Sequence, residues 1–107
     1  MLRIAAGQAA RPTEEYLRFA RQLGLESVQF NTPELPGERR WELADLVALR
    51  ERCESFDLRL AAIENLPVQF YLACMLGLPE RDRELEDVCA TIANIGAAGI
   101  GVLGYCF

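Results

Sequence analysis

The sequence contains no histidine in 107 residues, and all 11 of its basic residues are arginine. Histidine is the usual general base and the usual zinc ligand, so its absence excludes Ser–His and Cys–His nucleophile pairs. The absence of lysine excludes Schiff-base chemistry and the lysine of a phosphate-binding loop. The sequence therefore lacks most of the side chains that standard enzymatic mechanisms use.

Positive charge is also scarce, because 16 acidic residues outweigh the arginines and give a formal net charge of -5. Nucleic-acid binding requires a basic surface, so we predict no nucleic-acid partner. The composition is 51% hydrophobic and 25% charged. These values are ordinary for a globular protein and predict a packed core.

The four cysteines never form a C-x-x-C pair, which argues against a zinc site or any metal bound by this chain alone. They are Cys53, Cys74, Cys89 and Cys106. We predict free thiols packed in a core, which is typical of a reducing cytoplasm. Residues 1–4 place an arginine inside a short apolar run, so they predict no secretory signal peptide.

Residues 88–107 carry no charge over a length that could span a membrane as a helix. Four glycines interrupt the second half of this run. We therefore predict the end of a helix followed by a short apolar strand, and no membrane association.

The chain repeats one pattern, in which a short apolar strand and a polar loop precede an amphipathic helix. The predicted strands are 2–6, 25–30, 58–63 and 100–105. The predicted long helices are 13–24, which Thr13 caps and Gly24 ends, 41–55 and 81–97. Between the last two strands, 66–79 is predicted as a loop with a short helix near 70–75.

This β-α-β-α-β-α-β order requires parallel strands with right-handed crossovers. A flavodoxin-like open sheet and one half of a (β/α)8 barrel both satisfy it. Gly7 stands alone after the first strand, so the glycine pattern of a dinucleotide-binding fold is missing. A complete barrel takes about 250 residues, and this chain supplies half of its strands.

Four segments from residue 62 onward have distinctive amino-acid sequences. They are Ala-Ile-Glu-Asn-Leu-Pro-Val at 62–68, Gly-Leu-Pro-Glu-Arg-Asp at 77–82, Asn-Ile-Gly-Ala-Ala-Gly-Ile at 94–100 and Leu-Gly-Tyr-Cys-Phe at 103–107. In this order they resemble the N-terminal half of the mannonate dehydratase family. The resemblance is weak before residue 41 and good over 58–107.

The resemblance implies an α/β fold, the N-terminal half of a (β/α)8 TIM barrel of the xylose-isomerase-like type, with 1–107 as a single partial domain. It also implies dehydration of D-mannonate to 2-keto-3-deoxygluconate with Mg²⁺ or Mn²⁺. The family's metal ligands lie in the second half of its barrel, so we expect this chain alone to be inactive. The expected partners are a sugar-acid substrate and either the missing C-terminal barrel half or further copies of the chain.

Cys106 departs from the family pattern, which has asparagine in its Tyr-Asn-Phe motif. This difference keeps a sugar isomerase or epimerase of the same fold open as an alternative. A small α/β module that binds a ligand without catalysis is a second alternative.

The candidate substrate-binding residues lie where predicted strands end, because ligands of parallel α/β folds bind there. They are Glu64, Asn65, Asn31 and Tyr105. Glu64 is a carboxylate that ends an apolar strand, and the alternative is a pairing with an arginine. The two asparagines suit hydroxyl recognition but equally suit turns, and Tyr105 could simply cover the end of the barrel.

One further expectation concerns the interior of the half-barrel. We expect apolar strand residues to be bared at its open edges and to make the chain associate. Residues of this kind are Val28, Phe30, Leu60, Ile63, Val102 and Leu103, and the strand register decides which face each of them takes.

Overall fold

A computed structural model describes residues 2–106 as one parallel sheet with helices along its connections. Its elements are β1 (Ala5–Ala9), α1 (Glu14–Gln22), β2 (Ser27–Asn31), α2 (Leu43–Glu54), β3 (Arg59–Glu64), α3 (Leu72–Leu76), α4 (Arg81–Ala97) and β4 (Leu103–Gly104). A single 3-10 turn, Val68–Phe70, precedes α3. The strand order is β1-β2-β3-β4, which confirms the barrel-type order, since a flavodoxin-like sheet places its first strand inside the order.

The helix signals in the sequence are confirmed at α1 and α4. The hydroxyl of Thr13 accepts a hydrogen bond from the backbone N–H of Tyr16 at 3.2 Å, and two glutamates occupy the first turn. Gly24 follows the last turn with a φ of 78°, a conformation that glycine adopts without strain. α4 begins at Arg81, as predicted.

The strand boundaries differ more from the prediction. β1 begins at Ala5, because this residue pairs with the first residue of β2, and the exposed Leu2 lies beyond the paired region. β4 is reduced to two residues, because β3 offers only Ile63 and Glu64 to pair with it. Strand length is therefore set by the neighbouring strand as well as by the apolar run.

A bulge in β3 decides which residues face the helices. Val28 pairs with Leu60, but the next residue of β2 pairs with Ala62, so Ala61 is an extra residue. Both Leu60 and Ile63 consequently join the buried cluster, together with Val28 and side chains from α1, α2 and α4.

This register corrects the expectation about the interior of the half-barrel. Val28, Phe30, Leu60 and Ile63 are at most 2% exposed and lie under the helices, so the prediction that they are bared is wrong. Val102, at 56% exposure, is bared as expected. The residues of β2 that alternate with Val28 and Phe30 are polar, and they lie on the opposite face of the sheet.

The long loop before α2 is fastened to α4 by buried polar groups. The N–H of Trp41 donates to the hydroxyl of Thr91 at 3.2 Å, and the side chain of Asn94 donates to the carbonyl of Trp41 at 2.9 Å. Arg39 pairs with the nearly buried carboxylate of Asp87 at 2.8 Å. These contacts fix where α2 begins.

The cysteines are divided between interior and surface. Cys53 is buried in the core, as predicted, and its burial raises the pKa of the thiol to about 11. Cys89 and Cys106 are exposed, so their predicted packing in a core is wrong. Cys89 lies on α4 and Cys106 lies past the end of β4, while Cys74 on α3 is partly buried. None of the helices in residues 2–106 is both long enough and apolar enough to span a membrane.

Candidate functional site

Polar side chains meet where β1, β2 and β3 end. We call this group the strand-end cluster, and it consists of Gln8, Gln29, Asn31, Glu64 and Asn65. The carboxyl ends of parallel strands share one edge of the sheet, so side chains far apart in sequence come together there. Three of the four predicted site residues belong to the cluster.

Asn31 is the centre of the hydrogen bonding. Its side-chain oxygen accepts from the amide of Asn65 at 3.2 Å and from the hydroxyl of Thr32 at 3.0 Å. Its side-chain amide donates to Gln8 at 3.4 Å. Because both ends of the Asn31 amide are bonded, its orientation is fixed and the neighbouring side chains are held in place. The residue is the last of β2 and not the start of a loop, which corrects the predicted boundary.

Glu64 is half-buried at the end of β3, and its observed partner is an amide, not an arginine. The side-chain nitrogen of Gln29 lies 3.5 Å from a carboxylate oxygen of Glu64. Gly7 on β1 makes room for this contact, since a Cβ atom there would lie 2.9 Å from the same nitrogen of Gln29. The long distance leaves the carboxylate weakly engaged and able to accept hydrogen bonds from a ligand.

The backbone is strained at the ends of the same three strands. Gln8, Thr32 and Asn65 have φ values of 66°, 44° and 63°, which L-residues rarely adopt. The N–H of Thr32 donates to the carbonyl of Glu64 at 2.7 Å, and the N–H of Asn65 donates to the carbonyl of Gly104 at 2.9 Å. The turns at Thr32 and Asn65 are thus each held by the next strand, and such strained residues concentrate at binding sites.

Tyr105 is the fourth predicted site residue, and it follows the last residue of β4. It is 76% exposed and lines an apolar groove of about 430 Å³ between α3, α4 and the end of β4. Asn65 also lines this groove, so the groove adjoins the strand-end cluster. The groove walls are otherwise mostly apolar and offer little to a polar ligand.

The cluster does not fit a metal site formed by this chain alone. Residues 2–106 hold no group of three histidine, cysteine, aspartate or glutamate side chains that could bind a metal ion. Glu64 is the one carboxylate of the cluster, and the oxygen of Asn31 already accepts two hydrogen bonds. Mg²⁺ and Ca²⁺ take six or more oxygen ligands, and toward such a set the cluster offers the single carboxylate of Glu64.

Gln8 and Gln29 are members of the cluster that the sequence analysis did not single out. Gln29 and Asn31 alternate with the apolar Val28 and Phe30, and this alternation already indicated a polar face. Gln8 lies just past the end of the first predicted strand, which was its signal, and it reaches the cluster beside an irregularity of β1 between Ala6 and Ala9.

Comparison with known proteins agrees with this architecture. Residues 10–107 match the model of the family described as D-mannonate dehydratase (UxuA). The mannonate dehydratase of Thermotoga petrophila is 36% identical over 84 residues, which are 78% of this chain and 23% of that protein. The mannonate dehydratase of Streptococcus pneumoniae is 31% identical over 84 residues, with 78% and 22% covered.

A solved structure extends the comparison to the fold. The crystal structure of mannonate dehydratase from Streptococcus suis serotype 2 matches with a TM-score of 0.82 and 24% identity, over 98% of this chain and 30% of that one. The chain thus spans less than a third of the length of the relatives it matches, and its sheet corresponds to part of a TIM barrel. The chain belongs to the D-mannonate dehydratase family.

Proposed function

We propose that this chain forms the N-terminal portion of a hydro-lyase that dehydrates D-mannonate to 2-keto-3-deoxygluconate. In this proposal the strand-end cluster is one wall of the substrate pocket. The observation that carries it is the fixed set of amides and one carboxylate at the strand ends, in a chain of this family. The same family relationship supports a cytoplasmic role in sugar-acid breakdown.

The chemistry of the cluster suits a polyhydroxy acid. Side-chain amides both donate and accept hydrogen bonds, so they can bind alternating hydroxyl groups along a sugar chain. The carboxylate of Glu64 accepts hydrogen bonds from hydroxyl groups. Because Asn31 is fixed by its neighbours, little side-chain freedom is lost when a ligand binds.

Dehydration also requires a proton to be taken from the carbon beside the substrate carboxylate, while a hydroxyl group leaves from the next carbon. Positioned acids and bases do this work, and a divalent cation stabilises the negative charge that develops on the substrate. The chain has no histidine or lysine, and its cluster does not fit a metal ion. We therefore assign binding and orientation of the substrate to these residues, with the acid–base groups and the metal supplied by the remainder of a complete barrel.

The proposal is tested by titrating the isotope-labelled chain with D-mannonate and following its side-chain amides by NMR. We expect resonances of Gln8, Asn31 and Asn65 to shift together as the ligand binds. Asn31→Ala removes the centre of the network and should weaken binding by about tenfold, which corresponds to 1.4 kcal/mol. Gln22→Ala, an exposed change on α1, is the matched control and should leave binding unchanged.

D-mannitol has the hydroxyl groups but no carboxylate, and it should shift the same resonances, because the amides and Glu64 of the cluster bind hydroxyl groups. Shifts with D-mannonate alone would contradict this assignment of hydroxyl recognition. Shifts confined to the apolar groove, or none at the strand ends, would overturn the assignment of the cluster as a substrate wall.

A further inference from the structure

Glu64 carries the one charge of the strand-end cluster. The other members of the cluster, Gln8, Gln29, Asn31 and Asn65, have neutral amide side chains. Within residues 2–106, Glu64 forms no ion pair with an arginine. The cluster therefore has a single negative charge that no basic side chain of the described residues neutralises.

The arginines in the loops that follow β1 and β2 are paired with other carboxylates. Arg11, in the loop after β1, pairs with Glu34 at 2.6 Å. Arg39 and Arg40, in the loop after β2, pair with the carboxylate of Asp87 at 2.8 and 4.0 Å. The carboxylate of a ligand would therefore have to break one of these pairs to reach a guanidinium group.

The hydrogen-bond donors of the cluster lie beside the charge of Glu64. Asn31 and Glu64 are partners in the register of β2 and β3, and neighbouring strands are about 4.8 Å apart. Asn65 follows Glu64 directly, and its side-chain amide donates to Asn31 at 3.2 Å. A ligand group that accepts hydrogen bonds from these amides is therefore held close to the carboxylate.

A hydroxyl group and a carboxylate of a ligand respond differently to this arrangement. A hydroxyl group can accept from an amide N–H and donate to the carboxylate of Glu64 at the same time. A carboxylate only accepts hydrogen bonds, and Glu64 repels its charge. Two like charges about 4 Å apart in water weaken binding roughly fivefold, and the penalty increases as water is excluded.

We infer that Glu64 is a specificity-determining residue, which admits the hydroxyl end of a polyhydroxy acid to the strand-end cluster and excludes its carboxylate. The inference rests on the proposed function and adds the direction in which the substrate lies. The terminal hydroxyl groups of D-mannonate contact the cluster, while its carboxylate and the two carbons that react lie away from it. This direction leaves the reacting end of the substrate open to acid–base groups outside these residues.

Saturation-transfer NMR on D-mannonate measures this direction in the parent chain and requires no variant. A fivefold penalty on the reverse direction leaves roughly five of every six bound molecules with the hydroxyl end at the cluster. The hydrogens on C6, at the hydroxyl end, should therefore receive more saturation than the hydrogen on C2, which lies beside the carboxylate.

Glu64→Gln keeps the shape of the side chain and removes its charge. Both directions should then be equally populated, so the difference in saturation between C6 and C2 should disappear. D-mannonate should also bind roughly twofold more tightly relative to D-mannitol, because both directions of the acid contribute to binding.

Glu26→Gln is the matched control, because it removes the same charge from the other end of the sheet. Glu26 is exposed and immediately precedes β2, which places it roughly 16 Å from the strand-end cluster. At 0.15 M ionic strength the Debye length is about 8 Å, so this charge is screened from the cluster. The variant should keep the stronger saturation of C6.

Two kinds of result separate this inference from the proposed function on which it rests. If D-mannonate shifts the resonances of Gln8, Asn31 and Asn65 but C2 receives as much saturation as C6, the inference is overturned and the substrate wall stands. A preference for C6 that Glu64→Gln leaves unchanged would likewise overturn the role of Glu64. If neither D-mannonate nor D-mannitol shifts these resonances, the proposed function fails and the inference fails with it.

Discussion

Replacing Thr91 by valine tests how the loop before α2 is held to α4. Thr91 is fully buried, and its hydroxyl oxygen accepts a hydrogen bond from the N–H of Trp41, which is itself 1% exposed. Valine has nearly the same shape, so the change leaves no large cavity. It leaves the N–H of Trp41 buried without a partner.

The expected loss of stability follows from the cost of burying the N–H of Trp41 without a hydrogen-bond partner. A buried donor without a partner costs about 1–3 kcal/mol. The extra apolar methyl of valine recovers up to about 0.8 kcal/mol, and threonine and valine have similar helix propensity. With that recovery in full, we expect the free energy of unfolding to fall by roughly 0.2–2 kcal/mol, which for a chain of this size lowers Tm by roughly 1–16 °C.

Urea unfolding followed by tryptophan fluorescence is a suitable assay, because Trp41 is the one tryptophan and lies at the altered contact. The midpoint should fall with an unchanged m-value. Ser55→Ala, which removes an exposed hydroxyl, is the control and should change stability by less than about 0.5 kcal/mol. A Thr91→Val variant as stable as the parent chain would refute the reasoning, because the N–H of Trp41 would then have another partner.

Three further predictions concern a thiol, a glycine and the reaction. Burial raises the pKa of the Cys53 thiol to about 11, so the thiol ionises at lower pH in the unfolded chain than in the folded one. The free energy of unfolding should therefore fall as pH rises from about 9 to 11. Urea titrations at several pH values should show this decrease, and Cys53→Ala should reduce it. Gly7→Ala should push Gln29 away from Glu64 and weaken D-mannonate binding in NMR titrations, at a stability cost of about 0.5–1.5 kcal/mol. The purified chain should show no turnover of D-mannonate with Mn²⁺ in a direct assay for 2-keto-3-deoxygluconate.

Each of these predictions has a result that contradicts it. If the free energy of unfolding fell equally with pH in the parent chain and in Cys53→Ala, the buried thiol would not be the cause of that fall. Gly96→Ala, on the open side of α4, is the control for the glycine and should stabilise the chain by up to about 1 kcal/mol without affecting binding. Turnover by the chain alone that Glu64→Gln abolishes would show that the active site is complete in these residues.

The parts of the fold that the sequence predicted well depend on neighbours along the chain. Thr13 caps a helix and Gly24 ends it through hydrogen bonds and backbone conformations within a few residues. The strand-end positions of Glu64 and Asn65 follow equally from a strand that stops before a turn. The repeated alternation of strands and helices predicted a parallel α/β fold but left the strand order open.

The sequence by itself determined the ends of α1 and α4, the parallel α/β class and the family resemblance. The tertiary structure confirmed the strand order that the resemblance implied, and it alone decided which residues face the helices. The extra residue Ala61 in β3 puts both Leu60 and Ile63 in the core, and Gln29 and Gln8 reach the strand-end cluster through pairing with neighbouring strands. Register is set by contacts between residues distant in sequence, and a shift of one residue moves every following side chain to the other face.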